Sequence, residues 1–305
     1  MFFLNISIII PTLNRLVDLQ KFISSLEEQT YLANELIIVD QSDNDLTKEF
    51  ITNYSNLQKK INVKYLYSPE KSLTKARNFG IKHIGESCDL VAFFDDDVIL
   101  NSDYLSEIIN FFENDKQMVY KAATGYIQRK KWKSKISFLF KLFFLQEEKD
   151  GKFKINGLPT YPENKSKIYS VEFFSGCNMI FRKEIFNEFS FDNRLKKYCY
   201  MEDADFSFRL TRKYKGVFIP TAICIHNQST INRLKFKELT SFFIQNYVYL
   251  FKKNIKKTPA NIFAFIWSIF GLIFISLLTF KFRKVAGYFS GLLKVFLKRE
   301  DSFDR

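Results

Sequence analysis

Short apolar runs alternate with amphipathic stretches along the first hundred residues. Asn5 to Pro11 (NISIIIP) and Glu35 to Asp40 (ELIIVD) are continuous and isoleucine-rich, the pattern of strands buried on both faces. Between them Leu16, Leu19, Phe22, Ile23 and Leu26 recur at helical spacing, which gives a strand, helix, strand unit. Val63 to Tyr67 predicts a third strand, Leu73 to Ile84 a helix, and Asp89 to Phe94 (DLVAFF) a fourth strand that runs into three aspartates. The alternation predicts an α/β fold with an open, mostly parallel sheet flanked by helices. Ligands of such sheets bind outside the carboxyl ends of the strands, where Pro11 to Arg15, Asp40 to Asp43 and Asp95 to Asp97 fall.

The second half is less regular. Val171 to Phe181 reads as a strand interrupted at Ser175 and Gly176, Glu202 to Tyr214 as a helix, and Gly216 to Pro220 with Ala222 to His226 as a strand pair. Ile262 to Phe280 carries 19 residues without a charge, enough to cross about 30 Å of hydrocarbon at 1.5 Å per residue. Val285 to Leu297 is shorter and contains Lys294, so it reads as an interfacial segment. The expected division is one α/β domain over residues 1–250, with halves meeting near 125, and a basic, hydrophobic, membrane-associated helical region over 251–305.

Charge sharpens that division. The net +13 is uneven: Arg129 to Lys154 carries +6 and Lys252 to Arg305 carries +8, which leaves −1 for the rest. Both basic blocks are interleaved with Phe, Leu and Ile, a pattern suited to an anionic membrane surface and not to nucleic acid. Basic residues flank Ile262 to Phe280 on both sides, so the positive-inside rule does not choose between a span and a helix dipping into one leaflet; the short return segment favours the dip. Cys88, Cys177, Cys199 and Cys224 form no C-x-x-C pair, and Met1 to Pro11 has no secretory-signal pattern, so a reduced, cytosol-facing protein is expected.

Asp95, Asp96 and Asp97 repel one another unless a cation or solvent compensates. Mg²⁺ or Mn²⁺ prefers such oxygens and shares them with substrate phosphates; a solvated acidic turn is the alternative. Glu202 and Asp203 fall at the start of a predicted helix, where the macrodipole favours ionised carboxylates. A helix cap with an ion pair competes with a catalytic base there. Asp205 and Arg209, four apart, fit a helix-surface or interface pair.

Four blocks in order, IIIPTLNR (8–15), IIVDQSD (37–43), KARNFGI (75–81) with VAFFDDDV (91–98), and EDADFSFR (202–209), make the sequence resemble the family 2 glycosyltransferases with the GT-A fold. The resemblance spans roughly residues 5–230. It implies transfer of a sugar, with inversion, from a nucleotide diphosphate sugar to an acceptor hydroxyl, and dependence on Mg²⁺ or Mn²⁺. By resemblance Pro11, Thr12, Asn14, Arg15, Asp40, Arg77, Asp95 and Asp96 line the nucleotide-sugar pocket, and Asp95, Asp97 and His226 contact the metal. Asp203 is the implied base, beside Glu202. Gly176, Cys177 and Asn178, which follow Ser175, match a small-residue stretch on the acceptor side. Taken alone, Asp40 also fits a turn cap, Arg77 a surface ion pair and His226 a structural role.

The basic apolar segments favour a saccharide or lipid-linked saccharide acceptor, hence bacterial surface polysaccharide or glycolipid assembly at the cytoplasmic face of the inner membrane. Two alternatives differ in signature. A nucleotidylyltransferase needs a Gly-rich loop after the first strand, and PTLNRLVD has no glycine. A non-catalytic nucleotide-sugar scaffold is expected to lose one acidic block, and both are present.

Overall fold

The computed structural model describes residues 4–57, 60–129, 137–145, 150–195, 199–229 and 234–297. Strand β1 (Ile6–Thr12), helix α1 (Leu16–Glu27), β2 (Glu35–Asp40), α2 (Leu46–Leu57), β3 (Asn62–Tyr67), α3 (Leu73–Ile81) and β4 (Leu90–Phe93) build the first half. After β5 (Val98–Leu100) and α4 (Tyr104–Asn114) come β6 (Tyr120–Gln128), α5 (Ser137–Leu142), β7 (Tyr169–Val171), β8 (Met179–Arg182), α6 (Glu202–Thr211) and β9 (Lys215–His226). Helices α7 (Phe236–Asn254), α8 (Pro259–Leu278) and α9 (Phe282–Leu297) follow.

The sheet runs β3-β2-β1-β4-β8-β6-β9-β5, with β7 on β9. The first four strands are parallel, as the apolar runs of β1, β2 and β4 predict. Antiparallel pairing enters with β8 on β4 and recurs where β5 and β7 meet β9, whereas β6 and β9 are parallel. Alternation sorts β1 between two cores: Ile6, Ile8 and Ile10 pack toward α1 and α4, and Ile9 packs on the opposite side with Ala76 of α3 and Phe206 of α6.

One expectation is corrected here and one is narrowed. The segment read as a strand pair is one strand, β9, whose register against β6 slips between Ile219 and Ile223. Pro220 has no N–H for the ladder, so the pairing breaks there while the chain stays extended. Asp205 and Arg209 do pair, at 2.9 Å, and of the two alternatives the interface one holds. Asp205 is fully buried and accepts hydrogen bonds from Arg209, Lys253 and Asn254, which fastens α6 to α7.

The apolar pattern does not mark α7, because polar Thr240, Ser241 and Asn246 lie among its buried positions. Ile244, Tyr247 and Val248 of α7 form a third core with Phe265 and Ile269 of α8 and Tyr288 of α9. The inward face of α8 is a stripe of Ala264, Ser268, Gly271 and Ile275. At Gly271 any side chain would collide with Phe143, since a Cβ there would lie 2.3 Å from its ring. Among the described residues α8 is the one helix long and apolar enough to cross a membrane. Much of the first basic block, including 130–136, lies outside the described residues, as do Lys298 and Arg299.

Candidate active site

The carboxyl ends of β1 and β4, the β7–β8 loop, the start of α6 and the end of β9 enclose a cavity of about 720 Å³. Pro11, Thr12, Arg15, Asp95, Asp96, Gly176, Cys177, Glu202, Asp203 and His226 all line it, so most of the residues singled out in the sequence converge. Part of its wall is apolar, with Phe140 of α5, Phe144, Leu145, Phe243 of α7 and Leu272 of α8.

The three aspartates have separate surroundings. Asp95 is partly exposed, 3.3 Å from Arg77. Asp96 is buried; it accepts from Thr12 Oγ1 at 2.8 Å and pairs with Arg15 at 3.2 Å. Burial pushes its carboxyl up to about 7, against the pull of Arg15 and Thr12. Asp97 sits behind the cavity wall and does not line it. Its Oδ2 accepts from Ser229 N at 2.7 Å, and its buried Oδ1 lacks a well-aligned hydrogen bond although His226 Nε2 stands 3.1 Å away. An under-satisfied carboxylate oxygen beside an imidazole nitrogen is a donor set that one divalent ion can bridge. Burial opposes a charge on His226, yet the neighbouring Asp97 carboxylate and Cys177 lift its pKa to about 11. A cation using the same nitrogen therefore displaces a proton.

Glu202 and Asp203 open α6 behind Met201, which holds a left-handed φ of 71°. Neither acid is the cap residue. Asp203 Oδ2 accepts from Gly176 N at 2.9 Å and Oδ1 from Ala204 N at 2.8 Å. Burial is the largest influence on both carboxyls and raises each above its ordinary range; Asp203 adds to the rise at Glu202, and Arg77 opposes it at both. Gly176 is required by close approach, since a Cβ there would lie 2.8 Å from Glu202 Oε1 and 3.1 Å from an Arg77 nitrogen.

Four residues expected at the ligand lie elsewhere. Arg77 is fully buried and donates to Glu202 at 2.8 Å, Gly176 O at 2.9 Å and Asp95 at 3.3 Å, so its fork joins the two acidic blocks and is closed to a phosphate or base. Asp40 is fully buried, accepting from Ser42 N and Tyr65 Oη, which is the turn-cap alternative. Asn14, in a left-handed turn at φ 55°, exchanges hydrogen bonds with Asp43 and fixes the β1 loop to the β2 loop. Asn178 is fully buried and donates to Gly125 O and Cys224 Sγ, so it stitches β8 to β6 and β9.

In their place Gln41, Lys71, Tyr161 and Tyr200 face the cavity. Gln41 follows Asp40, so strand alternation carried one residue further points to it. Lys71 stands just before α3, where it pairs with Asp43. Nothing in the local pattern marks Tyr161, which comes from an irregular segment and stacks under Arg129.

The comparisons agree with this geometry. A curated relative from Haemophilus influenzae described as an uncharacterized glycosyltransferase is 33% identical over 107 residues, 35% of this chain and 41% of the relative. A mannosyltransferase of Pyrobaculum calidifontis solved with GDP-Man and Mn²⁺ superposes with a TM-score of 0.62 at 13% identity, covering 98% of this chain and 89% of that one. GalNAc-T7, solved with UDP, GalNAc and Mn²⁺, gives 0.61 at 17%, over 82% of this chain and 48% of that one. At such identities the likeness establishes the fold, which is GT-A-like. The glycosyl transferase family 2 profile matches residues 7–190, more than half the chain, and with the acidic blocks assembled at one cavity the chain belongs to glycosyl transferase family 2.

Proposed function

We propose that this protein transfers a sugar, with inversion, from a nucleotide diphosphate sugar to a hydroxyl of a lipid-linked saccharide at an anionic membrane surface, in bacterial surface polysaccharide or glycolipid assembly. The observation that carries the reading is the mixed wall of the cavity: carboxylates and His226 share it with apolar side chains from α5, α7 and α8. A soluble sugar leaves the apolar part of that wall without a partner. A lipid-linked acceptor places its saccharide at Asp203 and its first apolar carbons against Phe144, Phe243 and Leu272.

In this account Asp203 takes the proton of the attacking hydroxyl. Its raised pKa makes it a stronger base, and Gly176 N fixes the orientation of its carboxylate. Asp95 and His226, with Asp97 behind, would hold Mg²⁺ or Mn²⁺, whose charge when bound supports the departing diphosphate. Arg15 keeps Asp96 beneath the donor. Arg77 neutralises Glu202 and Asp95, which lets three carboxyl groups share one small space.

Membrane attachment has support of two kinds. Phe263, Ile266, Phe270, Phe289, Leu293 and Phe296 are exposed on α8 and α9. Exposed Lys252 and Lys256 border them, whereas Lys253 is committed to Asp192 and Asp205. Helix α9 packs along α7, which is itself fastened to α6, so α8 and α9 form a layer on the domain; this favours lying within one leaflet over crossing the bilayer. The test is a matched acceptor series, one sugar on short and long alkyl or isoprenoid diphosphates. Transfer should rise at least tenfold with tail length. Equal rates along the series contradict the lipid-linked acceptor.

A further inference from the structure

The β7–β8 loop places a thiol among groups that the proposed reaction uses for a hard cation. We propose that Asp95, Cys177 and His226 form a site for a thiophilic divalent ion of the zinc class at the edge of the catalytic cavity. The ligand atoms of these three side chains all lie within 4.8 Å of one another. Zinc binds sulfur at about 2.3 Å and nitrogen or oxygen at about 2.0 to 2.2 Å, so ligand atoms around one ion stand roughly 3.3 to 3.7 Å apart. Asp95, whose side chain is 32% exposed, has freedom to close that remaining gap.

The surroundings suit an ion. Cys177 is 3% exposed yet lines the cavity, so its sulfur is shielded from bulk solvent and open to a cation entering with or before the donor. Ser175 Oγ, 3.5 Å from the sulfur, is a weak competitor. The three ligands come from the end of β4, the β7–β8 loop and the end of β9, all anchored in the sheet, and the cavity side leaves a fourth position for water. Binding replaces the S–H bond of Cys177 with a metal–sulfur bond. The thiol proton, together with any on the imidazole, passes to solvent.

Sulfur gives the site its selectivity. Mg²⁺ avoids thiolate, whereas Zn²⁺ and Cd²⁺ favour it. Because Asp95 and His226 cannot serve both ions, a zinc-class ion competes with the ion of the proposed reaction. The site goes beyond that reading, and its test needs no turnover, so the two fail separately.

The probe is Cd²⁺ added to the full-length, chelator-washed protein, followed by ultraviolet thiolate-to-metal charge transfer and by calorimetry. One equivalent should saturate the band with release of at least one proton. Cys177→Ser should abolish the band and weaken Cd²⁺ binding at least tenfold. Cys224→Ser and Cys88→Ser should keep it, because Cys224 faces Asn178 and Cys88 donates to Leu90 O. A melting curve confirms that each variant is folded, and His226→Gln, which should weaken binding while keeping the thiol, gives a second route if Cys177→Ser does not fold. No band in the parent protein, a band surviving in Cys177→Ser, unchanged affinity in His226→Gln, or loss of the band in Cys224→Ser overturns the proposal.

Discussion

Replacing Arg77 separates a structural role from a nucleotide contact. In Arg77→Met the aliphatic volume is nearly kept, but Glu202 loses a donor at 2.8 Å, Gly176 O one at 2.9 Å and Asp95 one at 3.3 Å. Breaking a buried pair from one side costs about 3 to 5 kcal/mol, because the partner charge stays buried without compensation. At roughly 2 to 4 °C per kcal/mol for a chain of this size class, the melting temperature should fall by about 6 to 20 °C. Arg77→Lys restores the charge without the fork and should recover only part of the loss. The assay is a thermal melt beside equilibrium binding of the nucleoside diphosphate, measured below both transitions. A parent-like melting temperature with donor binding weakened more than tenfold refutes the structural assignment and returns Arg77 to the nucleotide.

Three further outcomes follow from the same geometry. Burial lifts Asp96 from an ordinary 3.8 to about 7, so its contribution is fully present below pH 4 and is lost as pH rises toward 7; in chelator, the stability of the parent relative to Asp96→Asn should fall by up to about 4 kcal/mol across that window, and a flat difference contradicts the burial argument. Serine at Phe263, Ile266 and Phe289, all outward-facing, should halve or further reduce sedimentation with anionic vesicles while leaving transfer to a short-tailed acceptor intact; unchanged sedimentation removes that face from the membrane. Chelation should stop transfer and Mg²⁺ or Mn²⁺ should restore it; full activity in excess EDTA removes the catalytic ion.

Most of the parallel half of the sheet was legible because β1, β2 and β4 are apolar runs and α1 and α3 keep a helical period, whereas α2 lies in a more polar stretch that the pattern does not mark. The acidic blocks were legible for the same reason: they stand at the ends of elements that the pattern locates. Side-chain direction was not. Arg77 and Asp40 lie in motifs that border the cavity, yet both point into the protein, since one turn of a helix or one step of a strand separates facing the ligand from supporting it. Helix α7 and the apolar wall were missed on different grounds. Buried polar residues blur the period of α7, and Phe144, Phe243 and Leu272 meet only through packing between segments more than 20 residues apart in sequence.

The central claim is that Asp203 removes the acceptor's proton at a site whose donor pocket is built by other residues. Asp203→Asn keeps the size of the side chain and an oxygen for the Gly176 N–H, while removing the base. Donor affinity by calorimetry and turnover by product release should therefore separate: affinity within a few fold of the parent, and kcat lower by about 10²-fold or more. Near-normal turnover in that variant, with the donor still bound, contradicts the account.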